Sequence, residues 1–288
     1  MNFDTISVPV DGGHLNVGTH MGRQGAPVAV LIHGITANHL SWSMVADELG
    51  DDVTMLAPDL RGRAGSASLP APYGMRQHAR DVAAILDHVG VDRATIVGHS
   101  MGGFVTAAFA ADYPERVNGL VLLDGGVTIA EVPDGTDIDT VLTAILGPTM
   151  QRLSMTFKDV DEWLGFWKQH PSLQDWNPAI EAYVMADMVG EPGAYRSGCN
   201  VDAIRADGAD TLGEGGLLFK QIDRPTPWIR APRGLLNADP LYSDDVAKQF
   251  CADYPMLQDV LVPDVNHFTI AISERGAKAV AKVIRTQL

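Results

Sequence analysis

The stretch from Thr95 to Phe104, Thr-Ile-Val-Gly-His-Ser-Met-Gly-Gly-Phe, constrains the fold of this chain more than any other. A β-branched apolar run enters a G-x-S-x-G pattern and leaves into the alanine-rich stretch Val105 to Asp112, which reads as strand, sharp turn and helix. Gly98 and Gly102 remove side chains that would collide with backbone in so tight a turn. The turn raises Ser100 Oγ above the end of its strand and aims the first N–H groups of the helix at whatever that hydroxyl attacks. Ser100 is the candidate nucleophile.

The surrounding sequence repeats the same rhythm. Ile6–Val10 and Leu15–Thr19 flank Asp11-Gly12-Gly13-His14 and read as a hairpin. Pro27 to Ile32 is a continuous apolar strand of the kind buried on both faces of a parallel sheet, and it ends at His33-Gly34. A helical stretch from Trp42 to Leu49 leads to a strand at Val53 to Ala57. Met75 to Val89 then places Ala79, Val82, Ala83, Ile85, Leu86 and Val89 at helical spacing. The strand Gly119 to Leu123 ends in Asp124. Strands alternating with helices imply an α/β chain with a mostly parallel sheet flanked by helices. In such sheets ligands bind at the carboxyl ends of the strands, so His33-Gly34, Ser100 and Asp124 are gathered on one edge.

The rhythm breaks after Gly126 and resumes at Arg224, far too long an interval for an ordinary connection. We divide the chain into a core of residues 1–126 and 224–288 and an insert of residues 127–223. Helices are predicted in the insert at Ile138 to Leu146, Val160 to His170 and Pro178 to Met188, and a mobile Gly- and Asp-rich loop at Gly208 to Gly216. The insert is rich in bulky apolar residues. Most must pack its own small core, but it departs from the catalytic edge, and Trp163, Phe166, Trp167, Trp176 and Met185 are expected to supply part of an apolar acyl pocket. Beyond it come a strand at Thr226 to Ala231, a helix at Ser243 to Ala252, a strand at Asp259 to Val262 and a closing helix from about Ile270 to Arg285.

A serine hydroxyl needs a neighbouring base. Of the nine histidines, His267 follows the last strand and precedes the last helix, which puts it on the catalytic edge. His99 adjoins Ser100 in sequence, but its side chain is expected to point away. An oxyanion forming at the attacked carbonyl needs donors, and the N–H groups of Met101 and Ile35 are the candidates. No clustering of His, Cys or carboxylates has metal spacing, so neither a metal nor a cofactor is expected.

Gly98-His99-Ser100-Met101-Gly102-Gly103, His33-Gly34, Asp59-Leu60-Arg61-Gly62 and Asn266-His267-Phe268 together resemble the α/β-hydrolase superfamily. The resemblance covers nearly the whole chain outside the insert. It implies an eight-stranded sheet with a helical cap after strand six, and a triad in the order nucleophile, acid, histidine. It leaves two acids. Asp239-Pro240 resembles the usual acid after strand seven, but it fits only if about four residues are inserted in that loop, which loops tolerate. Asp124, at the end of strand six, matches another branch and is preferred. Ala64 stands where many relatives carry glycine.

Composition narrows the rest. A net charge of −15 argues against nucleic acid and anionic membranes as partners. Cys199 and Cys251 are expected as thiols in a reducing compartment. The first residues carry no secretory signal pattern, and no apolar run approaches a membrane span, so a cytoplasmic protein is expected. The resulting expectation is a serine esterase or lactonase acting through an acyl-enzyme on a small or medium apolar substrate. The alternative is a lyase, a carbon–carbon bond hydrolase or a cofactor-free oxygenase using the same triad. Fold alone does not choose between them, and oligomeric state is not legible.

Overall fold

The computed structural model describes residues 3–129 and 137–288. Its sheet contains β1 (Asp4–Val10), β2 (Gly13–His20), β3 (Val28–Ile32), β4 (Thr54–Pro58), β5 (Ala94–His99) and β6 (Val117–Leu123). A short ribbon of β7 (Met188–Val189) and β8 (Arg196–Ser197) lies in the insert, and β9 (Thr226–Arg230) and β10 (Leu257–Leu261) complete the sheet. Its eight strands run in the order β1-β2-β4-β3-β5-β6-β9-β10. The pairs β1/β2 and β2/β4 are antiparallel and the remaining pairs are parallel.

The apolar strand runs follow from burial on both faces. In β3, Val30 and Ile32 join one core with α2 (Met75–His88) and α3 (Met101–Asp112), whereas Ala29 and Leu31 join the opposite core with α1 (Ser43–Leu49). That second core also takes the buried face of α10 (Glu274–Arg285), built from Ala277, Val280, Ala281 and Ile284 at helical spacing. The closing helix is interrupted: α9 (Thr269–Ile272) ends at Ser273, whose hydroxyl accepts the Gly276 N–H at 3.2 Å and restarts the chain as α10.

The insert carries α4 (Ile138–Leu153), α5 (Val160–Lys168), α6 (Pro178–Met185) and α7 (Val201–Leu212), and α8 (Asp244–Asp253) follows β9. Part of the expected strand-six connection, residues 130–136, lies outside the described residues. The expected loop at Gly208 to Gly216 is instead the end of α7 and a 3-10 helix over Glu214–Gln221. Asp210 within it and Asp207 just before it are structural. Asp207 Oδ1 accepts the Gly74 N–H at 2.6 Å and Asp210 Oδ2 the Met75 N–H at 2.7 Å. They cap α2, whose own N-cap, Gly74, has no side chain to do so. Leu218, Phe219 and Ile222 pack into the core beside α3, so the end of the insert is continuous with the core. Among the described residues no helix is long and apolar enough to cross a membrane.

Two features fix the edge where the strands end. A Cβ at Gly98 would lie 1.9 Å from the Gly102 carbonyl oxygen, and one at Gly102 would lie 2.2 Å from that of Ile32. β3 leads into His33, which is fully buried; its Nε2 accepts the Leu60 N–H at 2.9 Å and its Nδ1–H donates to the Gly34 carbonyl at 2.7 Å. This pattern requires neutral imidazole, because a proton on Nε2 would displace the Leu60 donor. Burial, opposed in part by the Asp59 charge, brings His33 down from 6.5 to about 4.

Gly98→Ala is expected to cost about 3 kcal/mol or more through overpacking against backbone; an unchanged urea midpoint would contradict the close approach. For His33 the unfolded chain binds the proton first as pH falls. Its contribution is complete above about 6.5 and is lost as pH falls from there toward 4. This group should remove about 2 kcal/mol of unfolding free energy between pH 6.5 and pH 5. Urea titrations should show a shallower pH dependence for His33→Gln over that interval, and equal slopes would refute the assignment.

Candidate active site

Ser100 begins α3 at φ +55° and ψ −122°. That conformation is costly for a residue with a side chain, on the order of 1–3 kcal/mol, and persists only where surroundings over-determine it. Here the Ser100 N–H donates to the Leu123 carbonyl at 2.8 Å, and the Ser100 carbonyl accepts from the Gly103 N–H at 2.9 Å. A Cβ at Gly34 would stand 3.5 Å from Ser100 Oγ, so the absence of one leaves the hydroxyl approachable.

Asp124 follows β6 at φ +45° and is fully buried. Its Oδ2 accepts the His267 Nδ1–H at 2.7 Å and its Oδ1 the Ala231 N–H at 3.1 Å. With Nδ1 protonated toward Asp124, the lone pair of neutral His267 resides on Nε2. His267 and Ser100 line the same cavity, although no hydrogen bond joins their side chains in this structure. The loop carrying His267 is held by Asn266, whose Oδ1 accepts the Phe268 and Thr269 N–H groups at 3.0 and 2.9 Å. The His267 N–H itself donates to the Arg233 carbonyl at 2.9 Å. Asp239, the alternative acid, does not reach His267. It is exposed in a turn closed by the Gly234 N–H to the Ala238 carbonyl at 3.1 Å, and its carboxylate has no hydrogen bond among the described residues.

His99 departs from expectation. Its ring packs beside that of His267, centroids 4.7 Å apart, and lines the Ser100 cavity. Its Nε2–H donates to the His267 carbonyl at 2.8 Å. Burial and the neighbouring His267 hold it well below the ordinary histidine value, so it is a neutral wedge behind His267. The ring also meets the edge of Trp42, centroids 6.4 Å apart, so it is packed between that ring and the His267 loop.

The N–H groups of Ile35 and Met101 make no backbone hydrogen bond among the described residues, and both residues border the cavities at Ser100. Arg63 braces the two. Its Nε donates to the Ile35 carbonyl at 2.8 Å and its Nη2 lies 3.7 Å from Met101 Sδ. Arg63 Nη1 also pairs with Asp207, which accepts His78 Nε2 at 3.0 Å; all three side chains are fully buried. Burial alone would raise the Asp207 carboxyl, but His78 and Arg63 hold it below the usual carboxylate range. α7 is thereby tied through one ion network to the loop behind Ile35. Sequence alone gave no sign of this, since Arg63 and Asp207 are 144 residues apart. In the same loop Ala64 adopts φ +41°, a left-handed geometry that glycine accepts more readily. The neighbouring Asp59 and Arg61 are structural: Asp59 holds His39, Asn16 and Gly65, and Arg61 forms a two-pronged pair with Asp81 at 2.9 and 3.0 Å.

The five aromatic and methionine residues expected in the acyl pocket separate. None lines the Ser100 cavity, whose walls include Thr36, Ile129, Ile145, Tyr183, Leu235, Leu241 and Phe268. Trp163 is fully buried in the core of the insert, its Nε1–H donating to the Val184 carbonyl at 3.1 Å. Trp176 and Met185 line a separate surface depression with Pro178 and Glu181. Phe166 and Trp167 face a second cavity of about 380 Å³ that shares Thr36, Ile145, Thr149, Leu235 and Phe268 with the first. Helical packing decides this: α5 turns Trp163 into the insert core, with Trp167 one turn further on, both in ring contact with each other. One wall residue that the sequence did not single out is Tyr183 on α6, buried, its hydroxyl raised by burial and therefore a phenol O–H. No cluster of His, Cys, Asp or Glu among the described residues is arranged to hold a metal ion. Cys199 and Cys251 are free thiols, and burial pushes Cys199 up to about 12, which leaves it unreactive.

Comparison with known proteins agrees with this architecture. The family described as the alpha/beta hydrolase fold matches residues 27–175. Lipase LipV of Mycobacterium tuberculosis is 28% identical over 278 residues, covering 93% of this chain and 97% of that protein. The uncharacterized protein Rv2715 of the same organism is 36% identical over 125 residues, 40% of this chain, and the matched region spans only 37% of that protein's length. Among solved structures, E-2-(acetamidomethylene)succinate hydrolase superposes with a TM-score of 0.79 at 21% identity, covering 99% of this chain and 98% of that one. At that identity the likeness concerns the fold. With the family match extending over more than half of its length and the sheet order above, this chain belongs to the alpha/beta hydrolase fold family.

Proposed function

We propose that the chain is a serine hydrolase that cleaves a small or medium carboxylic ester or lactone through an acyl-enzyme. The observation that carries the reading is the 2.7 Å bond from His267 Nδ1 to buried Asp124, beside a serine held at φ +55° in the same cavity. Asp124 fixes the imidazole so that Nε2 is the basic nitrogen. His267 takes the Ser100 proton as Oγ attacks the carbonyl carbon. The oxyanion settles between the N–H groups of Ile35 and Met101, which are free and braced by Arg63. As the tetrahedral intermediate collapses, His267 returns the proton to the leaving alkoxide. A water, deprotonated by the same nitrogen, then attacks the acyl carbon, the bond to Ser100 Oγ breaks as His267 returns the proton to that oxygen, and the acid leaves. The apolar walls of the cavity favour an apolar acyl group, and the likeness to a lipase along nearly the whole chain supports ester chemistry.

A fluorophosphonate should label Ser100, and Ser100→Ala should lose labelling and turnover of p-nitrophenyl butyrate by a factor on the order of 10⁶. Retention of more than a few per cent of activity would remove Ser100 as nucleophile. In a separate comparison, Asp124→Asn should lower kcat on the order of 10⁴-fold by spoiling the imidazole tautomer, while Asp239→Asn stays near wild type. The reverse pattern would transfer the role to Asp239.

A further inference from the structure

The second cavity, next to that of Ser100, is lined by a buried cation whose donors are not all used. Arg152, in the last turn of α4, is 3% exposed. Its Nη1 donates to Asp187 at 2.6 Å, but its Nη2 is buried with no hydrogen-bond partner among the described residues. Trp167, which lies under the guanidinium with its ring centroid 4.8 Å from Arg152 Cζ, also buries an unpartnered Nε1–H. Both residues line the cavity. Buried donors are almost always paired, so two unpaired ones on the wall of one cavity call for an acceptor.

Asp187 engages only one arm of the guanidinium. Its carboxylate also accepts the Ser197 hydroxyl at 2.8 Å, the Gly198 N–H at 3.2 Å and Cys199 Sγ at 3.4 Å. Its lone pairs are thus shared among neutral donors, which leaves the Arg152 guanidinium capable of a second partner. His170 stands on the same wall. Its Nδ1 accepts the Ser172 N–H at 3.3 Å, so its proton resides on Nε2. Burial and the nearby Arg152 charge keep it neutral and a donor. Arg152, Trp167 and His170 therefore give one end of the cavity a set of N–H donors, one of them on a guanidinium.

We propose that this end of the cavity binds a carboxylate carried on the acyl chain remote from the scissile bond, making half-esters of dicarboxylic acids the preferred substrates. The inference rests on the ester-hydrolase reading and deepens it: the ester carbonyl occupies the Ser100 cavity, the methylene chain passes Thr36, Ile145 and Phe268, and the distal carboxylate meets Arg152. Arginine suits the task because its planar fork offers parallel N–H groups to a carboxylate.

The test compares monomethyl with dimethyl esters of glutaric, adipic, pimelic and suberic acids, following methanol release by the full chain. At one chain length or more the wild type should favour the monomethyl ester at least tenfold in kcat/KM, and Arg152→Met should bring that ratio down at least tenfold. A ratio at or below one at every length, or a ratio unchanged by the substitution, overturns the proposal. Should Arg152→Met fail to fold, Arg152→Lys decides the matter, since loss of the fork should still lower the ratio. Calorimetry on Ser100→Ala separates this inference from the catalytic one. Binding of monomethyl adipate that is at least tenfold tighter than that of dimethyl adipate supports the subsite even if no ester is turned over, and equal affinity overturns it. Turnover of dimethyl esters without a carboxylate preference leaves the hydrolase reading intact and removes the subsite.

Discussion

The backbone of Ser100 is the constraint on which the site depends. A left-handed residue with a side chain at a strand-to-helix turn is intrinsically costly, and the fold holds it by making every alternative worse. Its N–H and carbonyl are bonded to Leu123 and Gly103, and the glycines around it remove side chains that would push the turn open. The approach of α3 to the ends of β3 and β5 requires this closeness, because Gly102 lies almost in contact with the Ile32 carbonyl. One turn thus packs the central helix on the sheet and presents a hydroxyl to the cavity.

The remaining groups are positioned by the sheet and by buried polar anchors. Asp124 ends the strand beside β5, and His267 comes from a loop after the outermost strand; their bond spans 143 residues of sequence. Neutral His99 and His33 fill the space behind, each locked into one tautomer by backbone groups. The Arg63–Asp207–His78 network links α7 and α2 to the loop at Ile35. A pair so fully buried is demanding: loss of either partner leaves an uncompensated charge, a penalty of about 3–5 kcal/mol. It fixes how the end of the insert sits on the core.

Much was legible along the chain because it is local. The strand–turn–helix pattern at Ser100 follows from Gly spacing, the two-faced burial of β3 from a continuous apolar run, and the rank of strands from alternation with helices. The order of the site residues along one edge follows from where the parallel strands end. The stretch Gly208 to Gly216 reads as a loop because its glycines and aspartates are compositional signs of a turn, whereas Asp210, with Asp207 just before the stretch, is engaged as a cap for α2, at separations of 135 and 133 residues. Capping partners supplied from a distant helix leave no local pattern.

What the sequence by itself determined is the scaffold and the strand–turn–helix that carries Ser100: periodicity, glycine spacing and β-branched runs act through backbone sterics and burial over a few residues. Tertiary structure decided which carboxylate meets His267 and which side chains line the cavity beside Ser100. Asp124 and Asp239 both follow strands, and only the pairing of β6 with β9 brings one of them against His267 while leaving the other in solvent. Trp163, Phe166 and Trp167 lie within one short helix, yet its rotation on the insert buries Trp163 wholly in the insert's core, while Trp167, in the same core, and half-buried Phe166 also reach the wall of a cavity. Side-chain destinations of this kind depend on how separate helices dock, and docking is settled by contacts between residues that the sequence holds far apart.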